Sequence, residues 1–373
     1  MSRRRLRVLF VINQVVTYGG AERFAVGLAR HMPQDRIEPW VCCTRSGDES
    51  AVAALIDAGV NYVCLGRKAK LDVHRLLPLL PLIRRQRFDV VHSHMFGSNV
   101  WSSLAGRTCR VPVIIAHEHN WSYSGDRLRM WLDGHVISRL ATCFVAVSEA
   151  NRDRMIKLEG VPADRIKVIP TGYVPHLGSA DGDIRRELGL GAQARVIGVA
   201  AVMRREKALE VMLDAHAMLV ERIDDAHLVI AGDGPCRPSL EKRIERLGIG
   251  RSVHLLGRRD DVDQILGRVD VGALSSDWEG SPLFVFECKA ARVPVVATAV
   301  GGVTELVETG RTGLLVPPRD PRAMADAIER LLSDRPFSER LATEAAADLE
   351  RYEIANVASR FADLYEQLVA EAV

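Results

Sequence analysis

Short runs of β-branched and other apolar residues recur along this chain and alternate with longer stretches whose apolar positions fall at i, i+3, i+4 and i+7. The short runs read as strands and the longer ones as amphipathic helices, because side-chain direction repeats every 2 residues in a strand and every 3.6 in a helix. In the first half the pattern predicts strands at residues 8–12, 39–43, 62–65, 90–92, 113–116 and 143–147, with helices at 21–31, 49–58, 74–87 and 151–159. The strands are apolar on both faces, as a parallel sheet covered by crossover helices requires.

A second series starts after Thr171, with strands at 196–200, 227–231, 253–255, 271–274 and 294–298 and helices at 208–220, 238–247, 262–267 and 282–291. This predicts an α/β protein of two tandem, doubly wound Rossmann-like domains, and open α/β sheets of that kind bind ligands at the carboxyl ends of their strands. Periodicity breaks down between Thr171 and Ala192, where Pro175, Gly178, Ser179, Ala180, Asp181 and Gly182 cluster, which suits a hinge. The expected division is 1–172 for the first domain and 173–350 for the second. Residues 336–373 read as helical throughout, with no strand of their own to cover, so 351–373 is expected to pack back on the first domain.

Composition narrows the class without naming a chemistry. At 373 residues, 47% hydrophobic and 26% charged, the chain is globular and long enough for two cores. No apolar run approaches the ~20 residues that cross a bilayer, and the basic start at Arg3, Arg4 and Arg5 is followed by an apolar run too short for an export signal. Seven cysteines in no C-x-x-C spacing point to thiols that are mostly buried, in a reducing cytoplasm, and not to a zinc or redox site. The net charge of +2 conceals an asymmetry: residues 1–172 carry 25 Lys/Arg against 15 Asp/Glu (+10), and residues 173–373 carry 25 against 33 (−8). A basic first half suits an anionic surface or substrate.

Two turns carry candidate chemistry. Thr17-Tyr18-Gly19-Gly20-Ala21-Glu22 joins the first strand to a helix, where glycines allow close backbone approach and a helix start offers free N–H groups to an anion. It is not G-x-G-x-x-G, and no acidic residue ends the second strand, so a nicotinamide cofactor is disfavoured. The stronger signal is Ser275-Ser276-Asp277-Trp278-Glu279-Gly280-Ser281-Pro282-Leu283-Phe284-Val285-Phe286-Glu287. An acidic residue leaves a strand end, a Gly-Ser-Pro turn opens a helix, and a second acidic residue follows within it. Glu279 suits sugar hydroxyls, the N–H groups around Gly280, Ser281, Leu283 and Phe284 suit a phosphate, and Glu287 suits a ribose diol.

From Glu279 to Asp320 the chain resembles the signature of the retaining glycosyltransferases of family 4, and the likeness extends over most of its length. It takes in Gly19-Gly20-Ala21-Glu22, Val147-Ser148, Val168-Ile169-Pro170, Ala231-Gly232-Asp233-Gly234-Pro235, Leu256-Gly257 and Gly313-Leu314-Leu315-Val316-Pro317. The resemblance implies a GT-B fold with a cleft between the domains, the donor held by the second and the acceptor by the first, near Gly19, Gly20 and His119. It implies Gly232 and Arg258 as further donor contacts. It also implies a basic pair on the donor diphosphate, of which Lys207 matches the lysine. Val202 stands where the arginine belongs, so Arg204 or Arg205 is expected to substitute, Arg204 first. By the same likeness His119 is the active-site histidine of the first domain, His117 the reserve choice, and His92-Ser93-His94 would line the same cleft.

The expected activity is hexosyl transfer with retention, from a nucleotide-diphosphate sugar to a hydroxyl of a glycan or lipid-linked acceptor, in cell-surface polysaccharide or glycolipid synthesis. No cofactor, metal or nucleic acid is expected. Asp261-Val262-Asp263 is a D-x-D string, but its place before a short helix is accounted for by capping. Arg84, Arg85 and Arg87 and the segment from Trp121 to Trp131, with Arg127 and Arg129, suggest peripheral contact with anionic lipid at the cytoplasmic face of a membrane. Two other classes fit the same donor signature: a sugar-nucleotide epimerase, and a non-catalytic sugar-nucleotide-binding protein, the latter suggested by Val202.

Overall fold

The computed structural model describes residues 4–17, 19–69, 72–119, 126–175 and 182–372, with the backbone alone at residue 73. Tyr18, Asn120, Trp121 and residues 176–181 of the expected hinge therefore lie outside the described residues. The chain divides into two compact units, one of Met1–Val174 with Tyr352–Val373 and one of Pro175–Arg351. The first runs two residues beyond the expected boundary, because Arg23 donates to the Val174 carbonyl at 2.5 Å and Val174 fills the space beside Gly27.

The first unit is built on β1 (Leu6–Val15), β2 (Ile37–Gly47), β3 (Asn61–Cys64), β4 (Val90–His94), β5 (Val113–Glu118), β6 (Cys143–Ala146) and β7 (Ile166–Val168), in the order β3-β2-β1-β4-β5-β6-β7, all parallel. Both faces of β1 are buried, as the continuous apolar run demands. Val8, Phe10 and Ile12 face a core completed by Phe24 and Leu28 of the helix Gly20–Arg30, while Leu9 and Val11 face another completed by Leu79, Ile83 and Ala105.

The last helix, Ile354–Ala372, belongs to this unit and drives Val357, Phe361 and Tyr365 into the first of those cores. Helicity is not continuous from residue 336. The α-helix stops at Asp348, passes through a 3-10 turn at Glu350–Tyr352 and resumes at Ile354, because the Tyr352 carbonyl accepts the Tyr173 N–H at 2.7 Å and Glu353 bridges to Tyr173.

The second unit carries β8 (Arg195–Ala200), β9 (Ala226–Ala231), β10 (Val253–Gly257), β11 (Val271–Leu274), β12 (Val295–Thr298) and β13 (Leu314–Val316), in the order β10-β9-β8-β11-β12-β13, again all parallel. Its core sets Ile197, Val199, Leu228 and Ile230 against Met212 and Leu213 of the helix Leu209–Val220 and Met324 and Ile328 of the helix Pro321–Ser333. Strand order reverses at β1/β4 in one sheet and at β8/β11 in the other, the places where adjacent loops part and a ligand can enter. No helix among the described residues is long and apolar enough to cross a membrane.

Candidate active site

At the β8/β11 reversal, the loop after β8 and the loop after β11 meet. Lys207 Nζ lies 2.6 Å from Glu279 Oε1, and the same oxygen accepts from Ser276 Oγ at 2.6 Å. Glu279 is 3% exposed, so its charge stays compensated only because these two donors converge on it. The loops are tied by backbone as well: Asp277 N–H donates to Glu206 O at 2.8 Å, Ser275 Oγ to Lys207 O at 3.1 Å, and Gly302 N–H to Glu279 O at 3.0 Å. Gly301, at φ 48°, lies so close to the Glu279 carbonyl that any β-carbon there would collide with it. Gly301-Gly302 thus fixes the backbone that aims Glu279.

Beyond Pro282 the helix Leu283–Ala290 begins, and its first N–H groups have no helical acceptor. Beside them Ser281 Oγ is buried without a partner among the described residues. Glu287 is 4% exposed on that helix. Both Arg204 and Arg205 are exposed, and among the described residues neither forms an ion pair, which leaves two uncommitted cations next to Lys207.

Two other expected donor residues lie at the ends of β9 and β10, Gly232 against the loop after β8. Gly232 follows β9 with φ 141°, and a β-carbon there would strike the Ala201 carbonyl, so its glycine is explained by packing of the chain on itself. Arg258 follows β10, the edge strand two places from β8, and is exposed. The Asp261 side chain does not cap its helix as expected. It pairs instead with Arg259 at 2.7 Å, which also holds Glu187 at 2.9 Å, so the D-x-D carboxylate is already neutralised.

In the first unit, four imidazoles gather at the carboxyl ends of β4 and β5. His92 stacks on His94 with ring centroids 4.4 Å apart, and His117 on His119 at 4.2 Å. The pairs are joined by hydrogen bonds: His92 Nε2 to His117 Nδ1 at 3.1 Å and His94 Nδ1 to His119 Nε2 at 2.9 Å. Phe24, from the helix that Gly20 opens, packs edge-on against His119 at 5.5 Å, which brings the Gly19–Gly20 turn and His119 to one end of the sheet.

The expectation that His92-Ser93-His94 lines a cleft is wrong. All three residues are completely buried, because β4 lies in the middle of the sheet, Phe361 and Tyr365 cover His92, and Phe10 and Phe24 pack on His94. His117 is likewise buried beneath the half-buried His119. Burial keeps the rings neutral, lowering His92 and His119 to about 3 and His94 and His117 well below the ordinary histidine range, with the neighbouring rings adding to the effect for His92, His94 and His117. His92, His94 and His117 each bring a ring nitrogen within 4.8 Å of the others. Two of these rings are already engaged with each other, His92 Nε2 facing His117 Nδ1 at 3.1 Å, and all three are completely buried.

Sequence reasoning missed a group of acids beside His119. Glu118, Asp133 and Glu159 are all buried, on β5 and on two wide helical turns, Asp133–Ile137 and Met155–Glu159. These turns approach so closely that a β-carbon at Gly134 would collide with the Glu159 carbonyl. Both Asp133 carboxylate oxygens lack a partner among the described residues. Burial, then repulsion from Glu159, pushes Asp133 up to about 8, and Glu118 is raised well above the carboxylate range by burial and by Asp133 and Glu159. An E-x-x-x spacing on a predicted helix would not have flagged them, since they come from three separate elements.

Comparison with known proteins agrees with this geometry. Residues 18–176 match the model of Glycosyltransferase Family 4 and residues 181–348 that of Glycosyl transferases group 1. The chain is 30% identical over 308 residues to the α-D-kanosaminyltransferase of Streptomyces kanamyceticus, covering 77% of this chain and 79% of that one. It is 36% identical over 218 residues to a D-inositol 3-phosphate glycosyltransferase of Corynebacterium urealyticum, 55% of this chain and 51% of that one. Its fold is similar to that of Anabaena Alr3699/HepE, crystallised with UDP-glucose, with a TM-score of 0.85 at 22% identity over 97% of this chain and 100% of the other. With two parallel-sheet Rossmann-like units, a Lys207–Glu279 pair at the second sheet's reversal and these matches, the chain belongs to glycosyltransferase family 4 and has the GT-B fold.

Proposed function

We propose that the chain transfers a sugar from a nucleotide-diphosphate donor to an acceptor hydroxyl with retention of anomeric configuration, and that it does so without a metal ion. The observation that carries the reading is the Lys207–Glu279 pair beside the open helix start at Leu283. As the glycosidic bond breaks, negative charge grows on the leaving β-phosphate. Lys207, with Arg204 or Arg205, supplies cations there, and the N–H groups of Leu283 and Phe284 with Ser281 Oγ supply hydrogen bonds. Glu279, its orientation set by Lys207 and Ser276, accepts from the sugar hydroxyls, and Glu287 accepts from the ribose. Lys207 and one of these arginines together replace the charge a divalent ion would provide.

His119, in the first unit, donates to a substrate hydroxyl, and the acceptor binds near Gly19 and Gly20. A glycan or lipid-linked acceptor in surface polysaccharide or glycolipid synthesis suits the basic first unit, as does peripheral contact with anionic lipid at the cytoplasmic face of the membrane through Arg127, Leu128 and Trp131, which are exposed. The UDP-glucose bound by HepE makes UDP sugars the first donors to test. Calorimetric titration with UDP, GDP and ADP sugars should find one that binds wild type and loses at least tenfold affinity in Lys207→Ala. NMR of the product should show the donor's anomeric configuration, and EDTA should leave turnover unchanged. An inverted product, or activity abolished by EDTA and restored by Mn²⁺, would refute the respective part.

A further inference from the structure

The buried histidines beneath His119 have hydrogen-bond demands that allow one consistent proton arrangement. His94 is wholly buried, and its Nε2 has no partner among the described residues. Its Nδ1 is 2.9 Å from His119 Nε2. Both rings are neutral, so one nitrogen of that contact carries the proton and the other accepts. If His94 were protonated at Nε2, a buried N–H would point at nothing. If it is protonated at Nδ1, only a lone pair is left bare, the cheaper defect, since orphaned donors are rarer in folded proteins than under-used acceptors.

The second pair obeys the same constraint. His117 Nε2 is also buried and without a partner among the described residues, while His117 Nδ1 faces His92 Nε2 at 3.1 Å. With His117 protonated at Nδ1, His92 Nε2 accepts, and His92 Nδ1–H donates to Tyr365 Oη at 2.6 Å. All four rings then carry their proton on Nδ1.

We propose that His94 is a positioning residue that holds His119 as its Nδ1–H tautomer by donating to His119 Nε2. The half-buried His119 then presents a fixed N–H donor at Nδ1, which has no other hydrogen-bond partner among the described residues. Free histidine favours the opposite tautomer. Without His94, the nitrogen presented to a substrate would mostly be an acceptor, and a hydroxyl that receives a hydrogen bond in the wild type would meet a lone pair. This deepens the role given to His119 above and rests on that reading for its catalytic consequence, but not for the tautomer itself. The stack also fixes the plane of the donor: Phe24 abuts the edge of the ring at 5.5 Å and His117 covers its face.

The test is long-range ¹⁵N–¹H correlation NMR of the full chain labelled at histidine. In wild type, His119 Nδ1 should appear as a protonated nitrogen and Nε2 as an unprotonated one; the reverse assignment overturns the proposal with no variant needed. In His94→Phe, which keeps the stack and removes the donor, the His119 signals should move toward the Nε2–H form. In His94→Asn, whose side-chain amide places a donor near the position of Nδ1, they should return toward wild type.

With donor and acceptor supplied, His94→Phe should lower kcat by roughly 10–100-fold, the range that loss of a supporting hydrogen-bond partner costs a positioned group, with donor KM changed less than threefold. His94→Asn should recover most of it. An unshifted tautomer in His94→Phe would overturn the inference whatever the activity. A shifted tautomer together with full activity in His119→Ala would instead overturn the assignment of His119 to the reaction, which keeps the two failures apart.

Discussion

At the scale of single residues, the second unit's site turns on one buried carboxylate and the cation that compensates it. Lys207→Ala would leave Glu279, 3% exposed, without its ammonium partner and with Ser276 alone as donor. The expected cost is about 2–4 kcal/mol of stability, since removing one member of a buried pair strands the other, together with a 10²–10³-fold fall in kcat from lost charge stabilisation. The double variant Lys207→Met/Glu279→Gln should regain part of that stability in urea titration and none of the activity. A second residue-scale prediction concerns Gly301. Its φ of 48° and its closeness to the Glu279 carbonyl leave no room for a side chain, so Gly301→Ala should cost at least about 2 kcal/mol and weaken donor binding in calorimetry. That Lys207 and Glu279 come together was legible only through the family likeness, which implies a role for each; their contact depends on β8 and β11 being neighbours in the sheet. The histidine network was not. Each ring belongs to a strand end that sequence alone can place, but which ring lies over which depends on the β4–β5 register, in which His94 pairs with His117.

At the scale of elements, alternation and periodicity located the central strands and the helices with apolar faces, and they failed where burial is polar or the element is short. The helix Phe96–Thr108 went unseen because its buried side carries Ser98, Asn99, Ser102, Ser103 and Gly106, which give no 3.6-residue apolar signal. β7 and β13 are three residues each, too short for alternation to register. The helix Ile354–Ala372 was legible as a helix, and its destination was inferred from the lack of a strand to cover. What the sequence could not supply is that it roofs the histidines: Phe361 lies 5.3 Å from His92, and Tyr365 Oη is 2.6 Å from His92 Nδ1. Two substitutions separate packing from hydrogen bonding here. Phe361→Ala should cost about 3–5 kcal/mol through the cavity it leaves. Tyr365→Phe, which keeps the ring and strips His92 of its acceptor, should cost about 1–2 kcal/mol. Thermal or urea unfolding would read both, and equal effects would mean that the hydroxyl matters as much as the whole ring.

At the scale of the molecule, two units with separate cores should respond to different perturbations, and the buried acids of the first give it a pH dependence of its own. Asp133 is pushed up to about 8 by burial and by Glu159, with Arg129 opposing, and Glu118 beside it is also raised. A carboxyl whose pKa is higher folded than unfolded binds its proton more tightly in the native state. Its contribution is therefore complete below the unfolded value near 4 and is lost as pH rises toward about 8. At about 1.4 kcal/mol per pH unit, moderated by the coupling to Glu118 and Glu159, the first unit should lose roughly 2–4 kcal/mol between pH 5 and pH 8. Asp133→Asn, which mimics the neutral form, should flatten that loss and leave the transition of the Pro175–Arg351 unit where it was. A nucleoside diphosphate that binds the second unit should act in the complementary way, adding about 2.7 kcal/mol to that unit's transition at a hundredfold excess over Kd. Calorimetry of wild type and Asp133→Asn at pH 5 and pH 8, with and without UDP, would show both effects as shifts of different transitions. If UDP and the Asn substitution moved the same transition equally, the acids and the nucleotide would share one cooperative unit, and the assignment of the donor to the second unit would lose its thermodynamic support.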